Sequence, residues 1–181
     1  MLENQQKIII LDRDGVINED SDDYIRSPKE WQPIPGSIEA IAKLCRSSYK
    51  VFVFTNQSGI ARGYFDLQTL EQMHHKMTTL VEKAGGKIEK IYFCPHSPAD
   101  NCNCRKPKTG MLEQLQQENG IDLQKTIVVG DSIKDIDAAI RVGATPFMVM
   151  TGKGHRFSQN EIDQRAPKVF KDLAEIAKYL C

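Results

Sequence analysis

The feature that most constrains this 181-residue chain is a repeated alternation of short apolar runs with longer amphipathic segments. Runs of strand length occupy residues 7–11, 51–55, 88–93, 126–129 and 147–150. Helical spacing of apolar residues marks 37–46 (with Ser37 as the predicted N-cap), 66–84, 109–119, the segment from Ile133 to Ile140, and 172–180. Buried strands that alternate with helices are typical of a parallel sheet covered on both faces. We therefore predict a single α/β domain over residues 1–181, a doubly wound parallel sheet of Rossmann-like type.

Bulk properties exclude several classes of partner. The chain has 24 basic and 24 acidic residues, so net charge does not favour binding to nucleic acid or to an anionic membrane. Its apolar runs are too short to span a bilayer, and its first six residues lack the basic and apolar zones of a signal peptide. We expect a cytoplasmic monomer that acts on a small molecule.

Polar residues follow the predicted strands where each one ends. Asp12 and Asp14 follow the first strand, Thr55 closes the second, and Asp131 follows the fourth. Ligands of doubly wound sheets bind beyond the carboxyl ends of the strands. Neighbouring carboxylates repel each other unless they share a cation, and Mg²⁺ prefers oxygen ligands. The pattern predicts a Mg²⁺ site, although an isolated Asp-x-Asp also fits a solvated turn.

The cysteines point to a second metal. Three of the five cysteines, Cys94, Cys102 and Cys104, lie close to His96, which suits a metal site better than a set of disulfides. Three thiolates and one imidazole complete a tetrahedral Zn²⁺ shell, so such a zinc would be structural. The alternative is a loop with unrelated reduced cysteines. Arg105 directly follows the last ligand, so the metal would also fix cations beside the strand ends.

Four motifs carry a resemblance to a known family. The residues, in order, are Asp12-Arg13-Asp14-Gly15, Thr55-Asn56, Lys106 and Gly130-Asp131-Ser132-x-x-Asp135. In this the chain resembles the haloacid dehalogenase-like phosphatases, from about Ile8 to Gly154. The resemblance implies a phosphatase with no large cap domain.

The resemblance also implies residue roles. Asp12 would attack phosphorus and form an aspartyl-phosphate, with Asp14 as the acid and base. Thr55 and Lys106 would hold the phosphoryl oxygens. Mg²⁺ would be bound by Asp12, the backbone carbonyl of Asp14, and Asp131. We interpret Asp135 as a residue of the helix N-terminus or one that supports the metal ligands.

The segment 94–107 narrows the resemblance to one branch, which contains phosphatases of heptose 1,7-bisphosphate and of histidinol phosphate. Segments 55–63, 108–112 and 151–154 are similar to the heptose enzymes, which implies removal of a 7-phosphate in the making of activated heptose for surface polysaccharide. The five residues between His96 and Cys102 resemble the histidinol-phosphate domain instead. A zinc-binding interaction module with a silent phosphatase fold is the third alternative.

Substrate contacts are also implied by position. They are Asp20, Tyr24, Asn56, Ser58 and Arg105, although the acidic stretch 19–23 also fits a solvated loop. Besides the spacing of the cluster, the chain departs from the pattern at two single residues. Val16 replaces the usual Thr, and Ser132 stands where some heptose enzymes have a Lys.

Overall fold

A computed structural model describes residues 6–181 and gives six strands, six α-helices and three short 3-10 helices within that range. The prediction about a signal peptide concerns residues 1–6, of which 1–5 lie outside the described range. The strands are β1 (Lys7–Leu11), β2 (Tyr49–Asn56), β3 (Ile88–Cys94), β4 (Thr126–Gly130), β5 (Thr145–Val149) and β6 (Lys168–Phe170). The helices are α1 (Ser37–Arg46), α2 (Leu67–Lys83), α3 (Gly110–Asn119), α4 (Ile133–Arg141), α5 (Gln159–Asp163) and α6 (Leu173–Leu180).

All six strands pair in parallel, in the order β3-β2-β1-β4-β5-β6. The chain adds strands on one side of β1 and then crosses to β4 on its other side. A crevice forms at such a switch in strand order, beyond the carboxyl ends of the strands. Asp12 and Asp131, which follow β1 and β4, are therefore placed side by side. The predicted doubly wound, Rossmann-like sheet without a large cap is confirmed.

The two faces of the sheet bury separate apolar layers. Alternate residues of β1 point to opposite faces, so Ile9 packs in the layer with α1 and α2, while Ile10 packs in the layer with α3. Both residues are fully buried. The central strands therefore read as continuous apolar runs, because neither of their sides faces water.

The predicted elements are confirmed, whereas the predicted N-cap of α1 is wrong. The predicted strands and helices are all present, with ends shifted by a few residues, but Ser37 is not the N-cap of α1. Gly36 holds that position with no side-chain cap, and the Ser37 hydroxyl donates instead to Ile17 O at 2.6 Å. The short elements β6 and α5 were not predicted, because three and five residues are too few for a periodic pattern. Among residues 6–181, no helix is long and apolar enough to cross a membrane.

Candidate active site and cysteine–histidine cluster

A cavity of about 350 Å³ opens at the carboxyl ends of β1, β2 and β4. Every residue that the sequence placed at the catalytic or substrate-binding site lines it. They are Asp12, Asp14, Asp20, Tyr24, Thr55, Asn56, Ser58, Arg105, Lys106 and Asp131. These residues come from three strand ends and two long loops, so the parallel sheet is what brings them together.

Asp12 lies on the floor of this cavity. Its backbone N–H donates to Val129 O at 2.9 Å, which extends the pairing of β1 with β4 by one residue. Its Oδ1 accepts from the backbone N–H of Arg13 at 2.7 Å and lies 2.9 Å from Lys106 Nζ. Burial raises the pKa of Asp12 well above its usual range, the charge of Lys106 opposes this, and the neighbouring carboxylates Asp135 and Asp131 add to the rise. The floor of the cavity therefore has more negative charge than its own lysine balances.

Lys106 is the buried cation of the site. Its Nζ lies 2.9 Å from Asp12 Oδ1 and 2.6 Å from Asp135 Oδ1, and it donates to Phe54 O at 3.2 Å. Burial lowers the pKa of Lys106, but the two carboxylates more than offset this, so the pKa lies above its usual value. Asn56 holds the lysine backbone from both sides, accepting from Lys106 N at 3.1 Å and donating to Lys106 O at 3.3 Å. Lys106 is thus a fixed positive charge beside Asp12.

Carboxylate oxygens of Asp12, Asp131 and Asp135 all lie within 4.8 Å of one another. Burial, followed by the charge of Asp135, raises the pKa of Asp131 to about 7. Oxygen donors crowded together with excess negative charge are what a hard divalent cation requires, so the residues present fit Mg²⁺. Asp14 is not part of this carboxylate trio. The predicted metal contact of Asp14 is through its backbone carbonyl, which stays a prediction.

Two glycines make room for Asp131. A Cβ added at Gly15 would lie 2.1 Å from Asp131 Oδ2, and one at Gly152 would lie 2.2 Å from the same atom. Both glycines have positive φ angles, +82° and +56°. The Thr151 hydroxyl joins their loops by donating to Gly15 O at 2.6 Å. The Asp131 carboxylate therefore packs directly against two glycine backbones, where no side chain would fit.

Asp135 lies in the first turn of helix α4 and also reaches the site. Its Oδ2 accepts from Ser132 N at 3.0 Å, and Ser132 and Asp135 form a reciprocal capping box. The predicted helix N-terminal role of Asp135 is confirmed. Its other oxygen meets Lys106, and a Cβ at Gly130 would lie 2.1 Å from Asp135 Cβ. Ser132, the position that differs from some relatives, is the N-cap of this helix.

The carboxylate of Asp14 is held by a different set of donors. Its Oδ1 accepts from Arg13 Nη2 at 2.8 Å and from Asn18 Nδ2 at 2.9 Å, and its Oδ2 accepts from Gln57 Nε2 at 2.8 Å. Burial raises the pKa of Asp14, but the Arg13 charge and these hydrogen bonds leave it below its usual value. Gln57 Nε2 also lies 2.8 Å from Thr55 Oγ1. Asp14 is therefore ionised in this arrangement and linked to Thr55 through Gln57.

Sequence reasoning assigned no site role to Arg13, Asn18, Gln57 or Lys153. Arg13 and Gln57 lie inside the motifs that were recognised, yet nothing in the sequence shows that an arginine and a glutamine would be buried there. The polar residues next to them in the sequence are the only available signal of that burial. Lys153 is identified by its backbone N–H, which donates to Asp131 Oδ2 at 2.7 Å.

Two loops form the entrance of the cavity. Ion pairs join them, one between Lys153 Nζ and Asp20 Oδ2 and one between Arg156 Nη1 and Asp22 Oδ1, each 2.8 Å long. Tyr24 has a φ of +67°, and its ring packs edge-on against Tyr64 at 5.1 Å. The stretch around Asp20 is therefore ordered by contacts rather than freely solvated.

The predicted cysteine–histidine set is assembled at the end of β3. The Sγ atoms of Cys94, Cys102 and Cys104 and the Nδ1 of His96 lie within 4.8 Å of one another. Five of the six separations lie between 3.1 Å (Cys94 to Cys104) and 3.6 Å (Cys94 to His96). The edges of a tetrahedral zinc shell are about 3.4–3.8 Å, from metal–ligand distances of about 2.0–2.3 Å. The residues present fit a structural Zn²⁺.

The loop around this cluster is tied to the cavity. Lys108 Nζ donates to Asn101 Oδ1 at 2.7 Å and to Cys102 O at 2.8 Å, which fixes the middle of the loop. Arg105 Nη1 donates to His96 O at 3.2 Å. Through Arg105 and Lys106, the loop of the cluster places two cations in the wall of the cavity.

The chain is similar to one family model and to several known proteins that share a name. A family model described as "HAD-hyrolase-like" matches residues 103–176. The D-glycero-beta-D-manno-heptose-1,7-bisphosphate 7-phosphatase of Pseudomonas putida is 51% identical over 96% of this chain and 99% of its own length. The same-named protein of Neisseria meningitidis serogroup A is 49% identical over 96% of this chain and 94% of its own. The crystal structure of the D,D-heptose 1,7-bisphosphate phosphatase of B. bronchiseptica, complexed with magnesium and phosphate, has a TM-score of 0.90 and 43% identity and covers 96% of this chain and 97% of its own.

Proposed function

Because this chain belongs to the D-glycero-beta-D-manno-heptose-1,7-bisphosphate 7-phosphatases of the haloacid dehalogenase-like superfamily, and is a phosphoric monoester hydrolase, we propose that it removes the 7-phosphate of that heptose bisphosphate with Mg²⁺. The product would be an intermediate of activated-heptose synthesis for surface polysaccharide. One observation carries the proposal at the site. Asp12, on the cavity floor, faces the fixed cation Lys106 and lies within 4.8 Å of two further carboxylates.

The proposed reaction has two steps. An oxygen of Asp12 attacks phosphorus, the ester P–O bond breaks, and Asp14 gives a proton to the departing sugar oxygen. Asp14 then takes a proton from a water molecule, which attacks the aspartyl-phosphate and releases inorganic phosphate. Asp14 is ionised in the described arrangement, so it must first gain a proton. The approach of a negatively charged phosphoryl group favours this, since a nearby like charge raises the pKa of a carboxyl group.

The other groups stabilise charge. Lys106 would neutralise the phosphoryl oxygens, and the Thr55 hydroxyl, which Gln57 already holds at 2.8 Å, would hydrogen-bond to them. Mg²⁺, when bound, supplies further positive charge to these oxygens. Asp12, the Asp14 carbonyl and Asp131 would hold it, with Asp135 close enough to support the set.

The cysteine–histidine cluster would bind a structural zinc ion. Its four donors leave no position for substrate, so its contribution is to hold the loop that ends in Arg105 and Lys106. Two of the remaining predicted contacts, Tyr24 and Ser58, lie around the cavity where the sugar would sit, and we assign them to substrate binding together with Asn56 and Arg105. Asp20 also lines the cavity, but its carboxylate is paired with Lys153, so a direct contact of Asp20 with the sugar stays a prediction.

We infer the cellular compartment of the reaction from the cysteine thiols. A zinc site of three thiolates needs reduced cysteines, and all five cysteines of the chain are free. Reducing conditions of this kind are those of the cytoplasm, where we place the reaction. A monomeric state stays a prediction.

The decisive experiment compares substrates. Purified protein with Mg²⁺ is offered both anomers of heptose 1,7-bisphosphate, histidinol phosphate and simple sugar phosphates, and kcat/KM is measured for each. We expect a preference for a heptose bisphosphate; a preference for histidinol phosphate would overturn the substrate assignment. Asp12→Asn should lower kcat by about a thousandfold or more. Wild-type turnover in that variant would contradict the aspartyl-phosphate step, and no turnover of any phosphate ester by the wild type would favour the silent zinc module.

A further inference from the structure

The loop on one side of the cavity entrance is strongly acidic. The acidic loop, residues 19–23, carries four carboxylates in five positions. Two of them, Asp20 and Asp22, line the cavity. A phosphate ester that enters here is itself an anion, so an uncompensated acidic entrance would repel it. The entrance therefore needs a cation that the acidic loop does not contain.

The opposite side of the entrance supplies that cation. The basic loop, residues 151–156, brings Lys153 Nζ to 2.8 Å from Asp20 Oδ2, and the side chains of Lys153 and Asp20 are 41% and 13% exposed. The second pair, Arg156 with Asp22, is also 2.8 Å long, but its side chains are 48% and 67% exposed. Exposed pairs are screened by water and salt, and partly buried pairs much less so. Asp20 and Lys153 thus form the pair whose charges a substrate would sense most strongly.

The backbone of Lys153 is fixed independently of its side chain. Its N–H donates to Asp131 Oδ2 at 2.7 Å, beside the glycines that surround that carboxylate. This hydrogen bond belongs to the main chain, so it survives replacement of the side chain. The ammonium group can therefore be removed without removing the contact to Asp131, which separates an effect on charge from an effect on the metal-binding carboxylates.

We propose that Lys153 neutralises Asp20 and so lets an anionic sugar phosphate pass the acidic loop. Lys153 is a positioning residue that sets specificity for highly charged substrates, acting through Asp20 rather than on the reacting phosphate. This inference rests on the proposed function for the assumption that a second, unreacted phosphate lies near the entrance. It predicts that loss of the lysine weakens binding of a bisphosphate more than binding of a monophosphate.

A double-mutant cycle tests this. KM and kcat are measured for heptose bisphosphate and for p-nitrophenyl phosphate with Lys153→Ala, Asp20→Asn and the double variant. Lys153→Ala should raise KM for the bisphosphate about five- to tenfold, the effect of one partly screened charge, with kcat within about twofold. Asn keeps an oxygen acceptor but no charge, so Asp20→Asn should not raise KM. In the double variant, KM should return to within about twofold of the wild-type value.

The control is Lys125→Ala. Lys125 pairs with Asp122 at 3.6 Å just before β4, at the opposite end of that strand from Asp131, and its loss should leave KM unchanged. If thermal unfolding shows that the Lys153→Ala variant is not folded, Lys153→Gln replaces it in the same cycle.

Two results would overturn the inference. A double variant as impaired as Lys153→Ala would mean that the lysine binds substrate itself. A rise in KM for Asp20→Asn alone, as large as that for the lysine variant, would mean that the Asp20 charge is needed. Failure of the proposed function is separable from both. If the wild-type enzyme prefers another phosphate ester, the cycle is run with that ester, and rescue by Asp20→Asn still supports neutralisation.

Discussion

The Nζ of Lys106 lies 2.6 Å from Asp135 Oδ1, so the cation beside Asp12 is held by a carboxylate that also caps helix α4. The position of the helix and the position of the charge are thus coupled through one side chain. Asp135 keeps Lys106 from pairing with Asp12 alone, which leaves part of the lysine charge available to an incoming phosphoryl group.

Replacement of Asp135 by Asn tests this coupling. Asn retains an oxygen that can cap α4 but loses the charge that holds Lys106, so we expect kcat to fall about 10- to 100-fold with a small change in melting temperature. Steady-state kinetics and thermal unfolding are the measurements. Asp137→Asn on the same helix, which breaks the partly exposed pair with Arg165, is the control and should leave kcat unchanged. A normal kcat for Asp135→Asn would contradict the positioning role.

Gly15→Ala should disrupt the metal-binding carboxylates. The new Cβ would meet Asp131 Oδ2 at 2.1 Å at a φ of +82°, so we expect weaker Mg²⁺ activation and a loss of about 2–4 kcal/mol in the free energy of unfolding. Gly63→Ala is the matched control. Its φ is +73° and nothing lies within 4 Å of the added carbon, so it should show backbone strain of about 1 kcal/mol with normal activity. Equal loss of activity in both variants would show that strain, not the contact with Asp131, is responsible.

Asp131 gives a prediction for stability against pH. Its pKa of about 7 in the folded protein lies above the usual value of 3.8, so the folded state binds more protons than the unfolded state between about pH 4 and pH 7. Without Mg²⁺, its contribution to stability is therefore present at low pH and lost as pH rises through 7. Asp131→Asn should unfold at a higher temperature than the wild type at pH 7.5 in zinc-containing, Mg²⁺-free buffer, and the difference should shrink towards pH 4.

Thermal unfolding at several pH values measures this difference. Saturating Mg²⁺ should remove the advantage of Asp131→Asn, because the cation stabilises the wild-type carboxylate. A variant that is less stable than the wild type at every pH in Mg²⁺-free buffer would contradict the prediction.

Loss of one zinc ligand should destabilise the whole domain. Cys102→Ser removes a thiolate from the cluster, and we expect zinc content to drop from one per chain towards zero. We also expect unfolding free energy to fall by about 4 kcal/mol, which is about 10 °C in melting temperature. Cys181→Ser, at an exposed cysteine outside the cluster, is the control and should change neither value. A metal-free wild-type protein that is fully folded would exclude the zinc assignment.

Much of the fold could be predicted because the strands are buried on both sides. Residues 8–11 are apolar and buried for that reason, and the predicted bounds 7–11 match those of β1. Ser37 was assigned wrongly because a serine at a helix start is usually a cap, whereas here its hydroxyl reaches Ile17 O, twenty positions earlier in the chain. A pattern of local spacing contains no information about such a partner.

The sequence by itself determined the parallel α/β fold and the chemical types at the site: carboxylates at strand ends, a lysine and a cysteine–histidine set. Only the tertiary structure decided which charged side chains pair with each other. The pairs of Lys106 with Asp135, of Arg13 with Asp14 and of Lys153 with Asp20 depend on burial and on distances of a few ångströms. Electrostatic energy varies steeply with both quantities, and a linear sequence specifies neither until the strand ends meet at one edge of the sheet.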